Sequence, residues 1–195
     1  MIRIEAVDAL RAAVRNAAAR GLTVRFVPTM GALHDGHAAL IRTARADGGF
    51  VLVSVFANPT QFGPGEDFTR YPRTPDIDAA LALDSGADGL WTPAGEELYS
   101  PGESTRISVG ALGAAWEGAF RPGHFDGVAT VVAKLLAATS ADVLYLGEKD
   151  FQQTVVVRRL VRDLLLATKI VVVPTVRESD GLAMSSRNRY LSSED

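Results

Sequence analysis

The chain has 195 residues, of which 47% are hydrophobic, and a formal net charge of −3. This length is sufficient to bury a full hydrophobic core. The acidic balance, without any lysine- or arginine-rich block, argues against a nucleic-acid-binding protein. The chain has no cysteine, which excludes disulfides and thiolate metal sites. No apolar run is long enough to cross a membrane, and the first residues lack the pattern of a signal peptide. The sequence therefore predicts a cytoplasmic globular protein.

Segments with apolar residues at helical spacing alternate along the chain with short apolar runs of strand length. The predicted helices span residues 7–20, 38–46, 76–84, 128–138 and 151–166, and the predicted strands span residues 22–27, 50–57, 89–92, 142–146 and 170–176. Residues 105–109 are a candidate for one more strand. From Arg177 onward the chain becomes polar and loop-like.

The strands that begin at Phe50, Asp142 and Ile170 are apolar throughout, without the alternation of a strand that is covered on one face. Such strands are typical of a sheet buried on both faces. The order of elements therefore predicts an α/β fold with a parallel sheet, helices on both faces and right-handed crossovers. Ligands of such sheets bind at the carboxyl ends of the strands.

Two of the three histidines, His34 and His37, lie between the first long predicted strand and the helix that follows it. The run Pro28–His37 therefore forms a turn that leads into a helix start. A helix start offers free backbone N–H groups and the positive end of a dipole, which suits a phosphate. Imidazole N–H groups at this place can stabilise charge that builds up on a phosphate.

Other polar groups follow the remaining strands at the same predicted edge of the sheet. They are Asn58 and Gln61 after the second long strand, residues 147–150 with Gln152 and Gln153 after the next, and residues 184–187 after the last. Each group also has an ordinary structural interpretation: a turn cap, turn chemistry at Asn58–Pro59, a surface ion pair at Lys149, or a helix cap at Ser185–Ser186. Their convergence on one edge favours a binding site.

With these motifs in place, the chain resembles the pantoate–β-alanine ligase family of the H-x-G-H nucleotidyltransferase superfamily. The resemblance rests on segments that follow the family order over nearly the whole chain: residues 28–37, 58–62, 71–74, 121–125, 147–153 and 173–191. It implies a Rossmann-like, doubly wound sheet. It also implies a two-step reaction, in which ATP and pantoate form an adenylate that β-alanine then converts to pantothenate and AMP.

The resemblance also implies roles for individual residues. His37, His34 and Lys149 would be catalytic. The ATP site would comprise Met30, His34, His37, Gly147, Lys149, Asp150, Val176, Met184, Ser185, Ser186 and Arg187. Pantoate and β-alanine would contact Gln61, Gln153, Met30, Asn58 and Tyr71. Neutral amides suit that task, because they bind hydroxyls and a carboxylate without neutralising the nucleophile.

Three further expectations follow from the resemblance. Mg²⁺ should accompany ATP, and Asp78 is the candidate ligand, with much of the coordination left to phosphate and water. Residues 1–176 should form the ATP- and pantoate-binding domain, and residues 177–195 a hinge and the start of a C-terminal lid that this chain lacks, which should reduce turnover. The protein should form a homodimer, with no nucleic-acid or membrane partner.

Three rival functions were compatible with parts of the pattern. A superfamily enzyme that adenylates a phosphorylated precursor should carry extra basic residues where Gln61 and Gln153 stand. An aminoacyl-tRNA synthetase fragment fits poorly with the acidic balance. A non-catalytic nucleotide-binding module is the rival from another class, and a test for pantoate binding distinguishes it.

Overall fold

The computed structural model describes residues 1–192. Its strands are β1 (Ile2–Ile4), β2 (Val24–Thr29), β3 (Phe50–Val55), β4 (Gly89–Trp91), β5 (Val143–Gly147) and β6 (Lys169–Val173). Its helices are α1 (Val7–Ala19), α2 (Asp35–Ala46), α3 (Pro75–Asp84), α4 (Gly95–Leu98), α5 (Glu117–Phe120), α6 (His124–Thr139) and α7 (Phe151–Asp163). Short 3-10 helices occupy Pro59–Gln61, Asp67–Thr69, Gly110–Gly113 and Ser186–Tyr190.

The six strands form one parallel sheet in the order β1-β4-β3-β2-β5-β6. From β2 the chain proceeds through α2 to β3 on one side, whereas β5 pairs with β2 on the other side. The connections therefore reverse direction between β2 and β5. In doubly wound sheets, the crevice at such a switch point is the place where ligands bind.

Both faces of the sheet are covered, which confirms the predicted fold. On one face, side chains such as Phe26 and Leu144 pack with the apolar residues of α1, α6 and α7. On the other face, side chains such as Val27 and Val53 pack with those of α2 and α3. This burial on both faces is the reason that the strands read as apolar runs. Within residues 1–192, no helix has the length and apolarity that crossing a membrane requires.

Two differences from the sequence prediction concern strands. Strand β1 was not predicted, because three residues are too few to show a period; it forms by pairing with β4 at the edge of the sheet. The candidate strand at residues 105–109 is wrong, since these residues have no regular structure. Their backbone bonds to α6 instead: Ile107 N–H donates to Thr130 Oγ1 at 3.0 Å and Val109 N–H to Asp126 Oδ1 at 2.8 Å.

Candidate active site

The turn between β2 and α2 has an unusual backbone. Gly31 has φ +90° and Ala32 has φ +50°. A Cβ at Gly31 would lie 2.9 Å from Val55 Cγ1 and 3.1 Å from Asp78 Oδ2, so this position requires glycine. The turn brings His34 to the N-cap of α2 and His37 into its first turn.

The two histidines hold each other through a reciprocal cap. His34 Nδ1 accepts a hydrogen bond from Gly36 N–H at 3.1 Å, and His37 Nδ1 accepts one from His34 N–H at 3.3 Å. The two rings lie 4.1 Å apart, centroid to centroid. Because each Nδ1 is an acceptor, each neutral ring carries its proton on Nε2. Both imidazoles therefore have an Nε2–H to donate.

The surroundings keep both rings neutral. Burial lowers the pKa of His37 to about 3, with further lowering by His34 and Lys149. Burial also lowers the pKa of His34, and the charge of Lys149 adds to this effect. At neutral pH the pair therefore supplies two uncharged N–H donors beside a lysine ammonium. This arrangement can stabilise a phosphate without transferring a proton to it.

The end of β5 lies on the other side of the switch point. Gly147 ends this strand, and Lys149 and Asp150 follow it, directly before α7. Lys149 Nζ is 3.0 Å from Asp150 Oδ1, in a partly exposed ion pair. The surface ion pair considered from the sequence is therefore present. The ammonium is nevertheless close enough to the histidines to lower the pKa of both.

Gln61 is held by a buried asparagine. Asn58, which is 1% exposed, donates from Nδ2 to Gln61 Oε1 at 3.1 Å and to Gly127 O at 3.2 Å. Its Oδ1 accepts from Tyr99 Oη at 2.7 Å. The Nε2 of Gln61 approaches Met30 Sδ at 3.0 Å, the weak acceptor of a thioether. Asn58 thus orients Gln61, and Gln61 presents its amide nitrogen near Met30.

The serine–arginine segment that was expected to bind phosphate is engaged within the protein. Arg187 forms a bidentate pair with Asp67, at 2.8 and 2.9 Å, and lies 5.5 Å from the Tyr71 ring centroid. Ser185 Oγ caps the 3-10 helix by accepting from Arg187 N–H at 3.2 Å. Ser186 is 6% exposed, and its Oγ donates to Ala32 O at 3.0 Å. A phosphate must therefore compete for Arg187, and Ser186 already supports the histidine turn.

A second charged cluster borders the site, and sequence reasoning missed its arginine. Arg121 donates to Glu66 at 2.9 and 2.6 Å and to Glu117 Oε1 at 2.8 Å. Hydrogen bonding by Arg121 lowers the pKa of Glu66, and bonding by Glu66 raises the pKa of Arg121. His124 Nδ1–H donates to Gln61 O at 2.7 Å, as expected for a histidine that stabilises a loop. The sequence feature that could have indicated this cluster is the segment Arg-Pro-Gly-His at residues 121–124.

One continuous cleft of about 230 Å³ joins these groups. Fifteen of the sixteen residues expected at the site line it: Met30, His34, His37, Asn58, Gln61, Tyr71, Gly147, Lys149, Asp150, Gln153, Val176, Met184, Ser185, Ser186 and Arg187. Asp78 is the exception. Glu66 contacts the cleft residue Arg121 from outside, whereas Glu117, Arg121 and His124 are part of the wall.

The environment of Asp78 does not fit the expected metal ligand. Asp78 is 2% exposed, and its carboxylate accepts hydrogen bonds from Ala32 N–H, Leu33 N–H and Thr74 Oγ1. No group of three His, Asp or Glu side chains within residues 1–192 is arranged to hold a metal ion. Both oxygens already bond to the histidine turn, so this environment gives no support to Asp78 as a metal ligand, and a Mg²⁺ role for it stays a prediction.

Comparisons with known proteins show the family to which the chain is similar. The family model described as pantoate-beta-alanine ligase matches residues 3–195. A pantothenate synthetase from Thermus thermophilus is 59% identical over 172 residues, which cover 88% of this chain and 62% of the relative. The pantothenate synthetase of Acidiphilium cryptum is 56% identical over 170 residues, which cover 87% of this chain and 61% of the relative. The chain thus spans about three fifths of the length of these two relatives.

Solved structures give the same result. A crystal structure of the Thermus thermophilus pantothenate synthetase superposes with a TM-score of 0.94 at 55% identity, covering 100% of this chain and 69% of that one. The pantoate–β-alanine ligase of Francisella tularensis, described as complexed with beta-gamma ATP and beta-alanine, superposes with a TM-score of 0.95 at 41% identity, covering 100% and 75%. By sequence and by structure, this chain belongs to the pantoate–β-alanine ligase family.

Proposed function

We propose that this chain binds ATP and (R)-pantoate and catalyses their conversion to pantoyl adenylate and pyrophosphate, the first step of an ATP-dependent condensation with β-alanine that forms pantothenate and AMP. One observation carries the proposal: two neutral imidazoles, a lysine and the amides of Gln61 and Gln153 face one cleft at the switch point of the sheet. Membership of the family and the ATP and β-alanine named for the Francisella tularensis relative support it.

The first step suits these residues. A carboxylate oxygen of pantoate attacks the α-phosphorus of ATP, a new O–P bond forms, and the bond to pyrophosphate breaks. Such a displacement requires positioning and stabilisation of charge more than covalent help. The Nε2–H groups of His34 and His37 donate to phosphate oxygens, and the Lys149 ammonium balances the developing charge. Both histidines act as neutral donors, since the pKa of each is lowered.

Different residues of the cleft wall bind pantoate and ATP. Gln61, oriented by Asn58, and Gln153 in the first turn of α7 bind the hydroxyl and carboxylate of pantoate, with Met30 as an apolar wall and Tyr71 beside them. Gly147, Asp150, Val176 and Met184 contact the adenosine, and Ser185 and Arg187 contact the pyrophosphate once Arg187 exchanges Asp67 for phosphate. Mg²⁺, which is expected with ATP, would be coordinated largely by phosphates and water, since no group of three or more His, Asp or Glu side chains within residues 1–192 is arranged to hold it.

In the second step, the amine of β-alanine attacks the acyl carbon of the adenylate. The amide bond forms, AMP leaves, and the amine loses a proton. Four expectations stay predictions: the domain boundary near residue 176, a lid after it, reduced turnover of this chain and a cytoplasmic location.

The deciding experiment is an assay for pyrophosphate release and adenylate formation from ATP and pantoate without β-alanine. We expect release that depends on pantoate, and a fall of about 10²-fold for Lys149→Met, because the bound phosphates lose a nearby cation. Lys169→Met is the matched control: Lys169 is exposed at the start of β6, at the opposite end of the sheet, so its loss should leave the rate unchanged.

Two outcomes would contradict the proposal. Thermal stabilisation by an ATP analogue but not by pantoate, with no pyrophosphate release, would favour the nucleotide-binding module. Equal rates for the two lysine variants would show that Lys149 does not contribute to the reaction.

We also propose a homodimer. Trp116, Phe120 and Phe151 are 67%, 87% and 60% exposed. They lie on segments that are joined to each other, because Glu117 N–H at the start of α5 donates to Gln152 Oε1 in the first turn of α7 at 3.0 Å. An apolar group of this kind is typical of a protein–protein contact. We expect the mass of a dimer by light scattering and a shift toward monomer for Phe120→Glu; a monomer at high concentration would contradict the dimer.

A further inference from the structure

We propose that Asp78 is a positioning residue that holds the histidine turn in its active shape; the catalytic part of this inference rests on the proposed function. Asp78 lies on α3, 44 residues after His34 in the chain, and does not line the cleft. It acts on the reaction through the backbone of residues 32 and 33.

The contacts are those of an anion in a backbone nest. Asp78 Oδ2 accepts from Ala32 N–H at 3.1 Å, and Oδ1 accepts from Leu33 N–H at 2.8 Å. Thr74 Oγ1 donates to Oδ1 at 2.9 Å. Successive N–H groups at a turn with positive φ form a concave site that binds anions. In this chain the buried carboxylate fills that site, so phosphate must bind on the other side of the turn, where the histidines lie.

The turn requires such support. The φ of +50° at Ala32 is a conformation that residues with a Cβ adopt only where their surroundings impose it. Asp78 binds the two N–H groups of the turn from the side of α3. From the side of the C-terminal segment, Ser186 Oγ donates a hydrogen bond to the carbonyl of Ala32 in the turn. The turn is therefore held from both sides by polar atoms that are themselves buried.

The turn transmits this geometry directly to the histidines. Leu33 N–H is fixed by Asp78, and the next residue is His34, which caps α2. The backbone N–H of His34 in turn donates to His37 Nδ1 and so determines which nitrogen of His37 carries the proton. A movement of the turn therefore changes both the place of the two Nε2–H groups and the tautomer of His37.

The charge of Asp78 is stabilised without a cation. Within residues 1–192, no arginine or lysine forms an ion pair with it. Its partners are the two backbone N–H groups, the Thr74 hydroxyl and the positive end of the α3 dipole, since Asp78 lies in the first turn of that helix. The carboxylate is thus matched to this turn and has little capacity left for a metal ion.

The test compares Asp78→Asn with Asp76→Asn. An asparagine offers one oxygen where the turn needs two acceptors, and its NH₂ group would face a backbone N–H. Asp76 lies in the same helical turn but is exposed, which makes it the matched control. The chain has three histidines, so ¹⁵N-histidine labelling gives a resolved imidazole spectrum in which His124 serves as an internal reference.

We expect Asp78→Asn to shift the His34 and His37 imidazole resonances away from the Nε2–H form and to leave those of His124 unchanged. We also expect adenylate formation to slow by about 10²-fold, the effect of a displacement of about 1 Å. The KM for pantoate should change less than about threefold, because Asn58 orients Gln61 and Gln153 is carried by α7. Asp76→Asn should change none of these quantities.

Unchanged imidazole resonances in folded Asp78→Asn would overturn the inference. A metal role would instead appear as an increase in the Mg²⁺ concentration needed for half-maximal rate, with unchanged resonances. If Asp78→Asn does not fold, Thr74→Val decides: it removes only the hydroxyl bonded to Oδ1, and the same imidazole shifts must appear at smaller size. The spectrum needs no substrate, so an inactive parent protein would refute the proposed function while the positioning role was still measured.

Discussion

Replacing His37 by alanine is expected to lower the rate of pantoyl-adenylate formation by about 10²–10³-fold, the usual cost of removing one donor to a developing negative charge. The Nε2–H of His37 is a neutral donor in a buried site, where a hydrogen bond to charge is strong. Single-turnover pyrophosphate release from ATP and pantoate measures the effect. ATP affinity should change much less than the rate, because Lys149 and the walls of the cleft are unchanged.

Two controls separate this effect from loss of structure. His37 also closes the cap of α2, so its loss should reduce the free energy of unfolding by about 1 kcal/mol. That loss is too small to unfold the protein. Arg42→Ala removes an exposed side chain from the same helix and should leave the rate unchanged. A His37→Ala rate within about threefold of the parent would contradict the assignment.

The pH dependence provides an independent check on His37. Its pKa is lowered in the folded protein to about 3, whereas its ordinary value is 6.5. Between these values the unfolded chain binds a proton that the native protein does not. The stabilising contribution of a neutral His37 is therefore complete above pH 6.5 and is lost as the pH falls toward 3. The parent should lose more unfolding free energy than His37→Ala over this interval, and equal losses would contradict a neutral His37.

Replacing Gly127 by alanine is expected to disturb the pantoate wall. A Cβ at Gly127 would lie 2.2 Å from Thr60 O and 2.8 Å from Gln61 Cα, both backbone atoms that cannot rotate away. Gly127 O also accepts a hydrogen bond from Asn58 Nδ2. The loop that carries Asn58 and Gln61 must therefore move away from α6. We expect a loss of about 1–3 kcal/mol of unfolding free energy and at least roughly a tenfold rise in the KM for pantoate.

Chemical denaturation and adenylate-formation kinetics measure these two effects. ATP-analogue binding should be nearly unchanged, since Lys149 and Gly147 lie on the other side of the cleft. Gly95→Ala is the matched control: Gly95 is exposed in α4, and a Cβ there would meet nothing within 4 Å. A Gly127→Ala protein with parental KM for pantoate would show that α6 does not determine the position of Gln61.

Much of the fold was predictable because its signals are local. Strands β3, β5 and β6 are apolar runs, and helices such as α1 and α7 show helical spacing, so their order predicted a parallel sheet that is covered on both faces. Much of the cleft followed from the same reasoning, because residues that come after parallel strands meet at one edge. Gln152, which this reasoning included, does not line the cleft, and Tyr71 was placed there only by the resemblance. The signal for β1 was absent, since three residues at the edge of a sheet form a strand only when β4 pairs with them.

The bonding partners of polar groups in and behind the cleft were not predictable in this way. The resemblance implied a metal role for Asp78 and an ATP contact for Ser186, and both stay predictions. In the structure, Asp78 binds Leu33 N–H from 45 residues away and Ser186 binds the Ala32 carbonyl from 154 residues away. Arg187 was expected in the ATP site and is paired with Asp67, 120 residues distant. Which polar atom bonds to which depends on how the elements pack.

The sequence by itself therefore determined that apolar strands alternate with helices in a parallel sheet covered on both faces, and that polar residues after several strands share one cleft, since periodicity and the residues at strand ends are local properties. The doubly wound order of that sheet came from the family resemblance. Only the tertiary structure decided which of those side chains face a ligand and which hold others in place. The physical reason is that buried polar atoms must find partners, and packing brings those partners from segments far apart in the chain. For this chain, that division separates His37 and Lys149, which face the cleft, from Asp78, which holds the turn behind it.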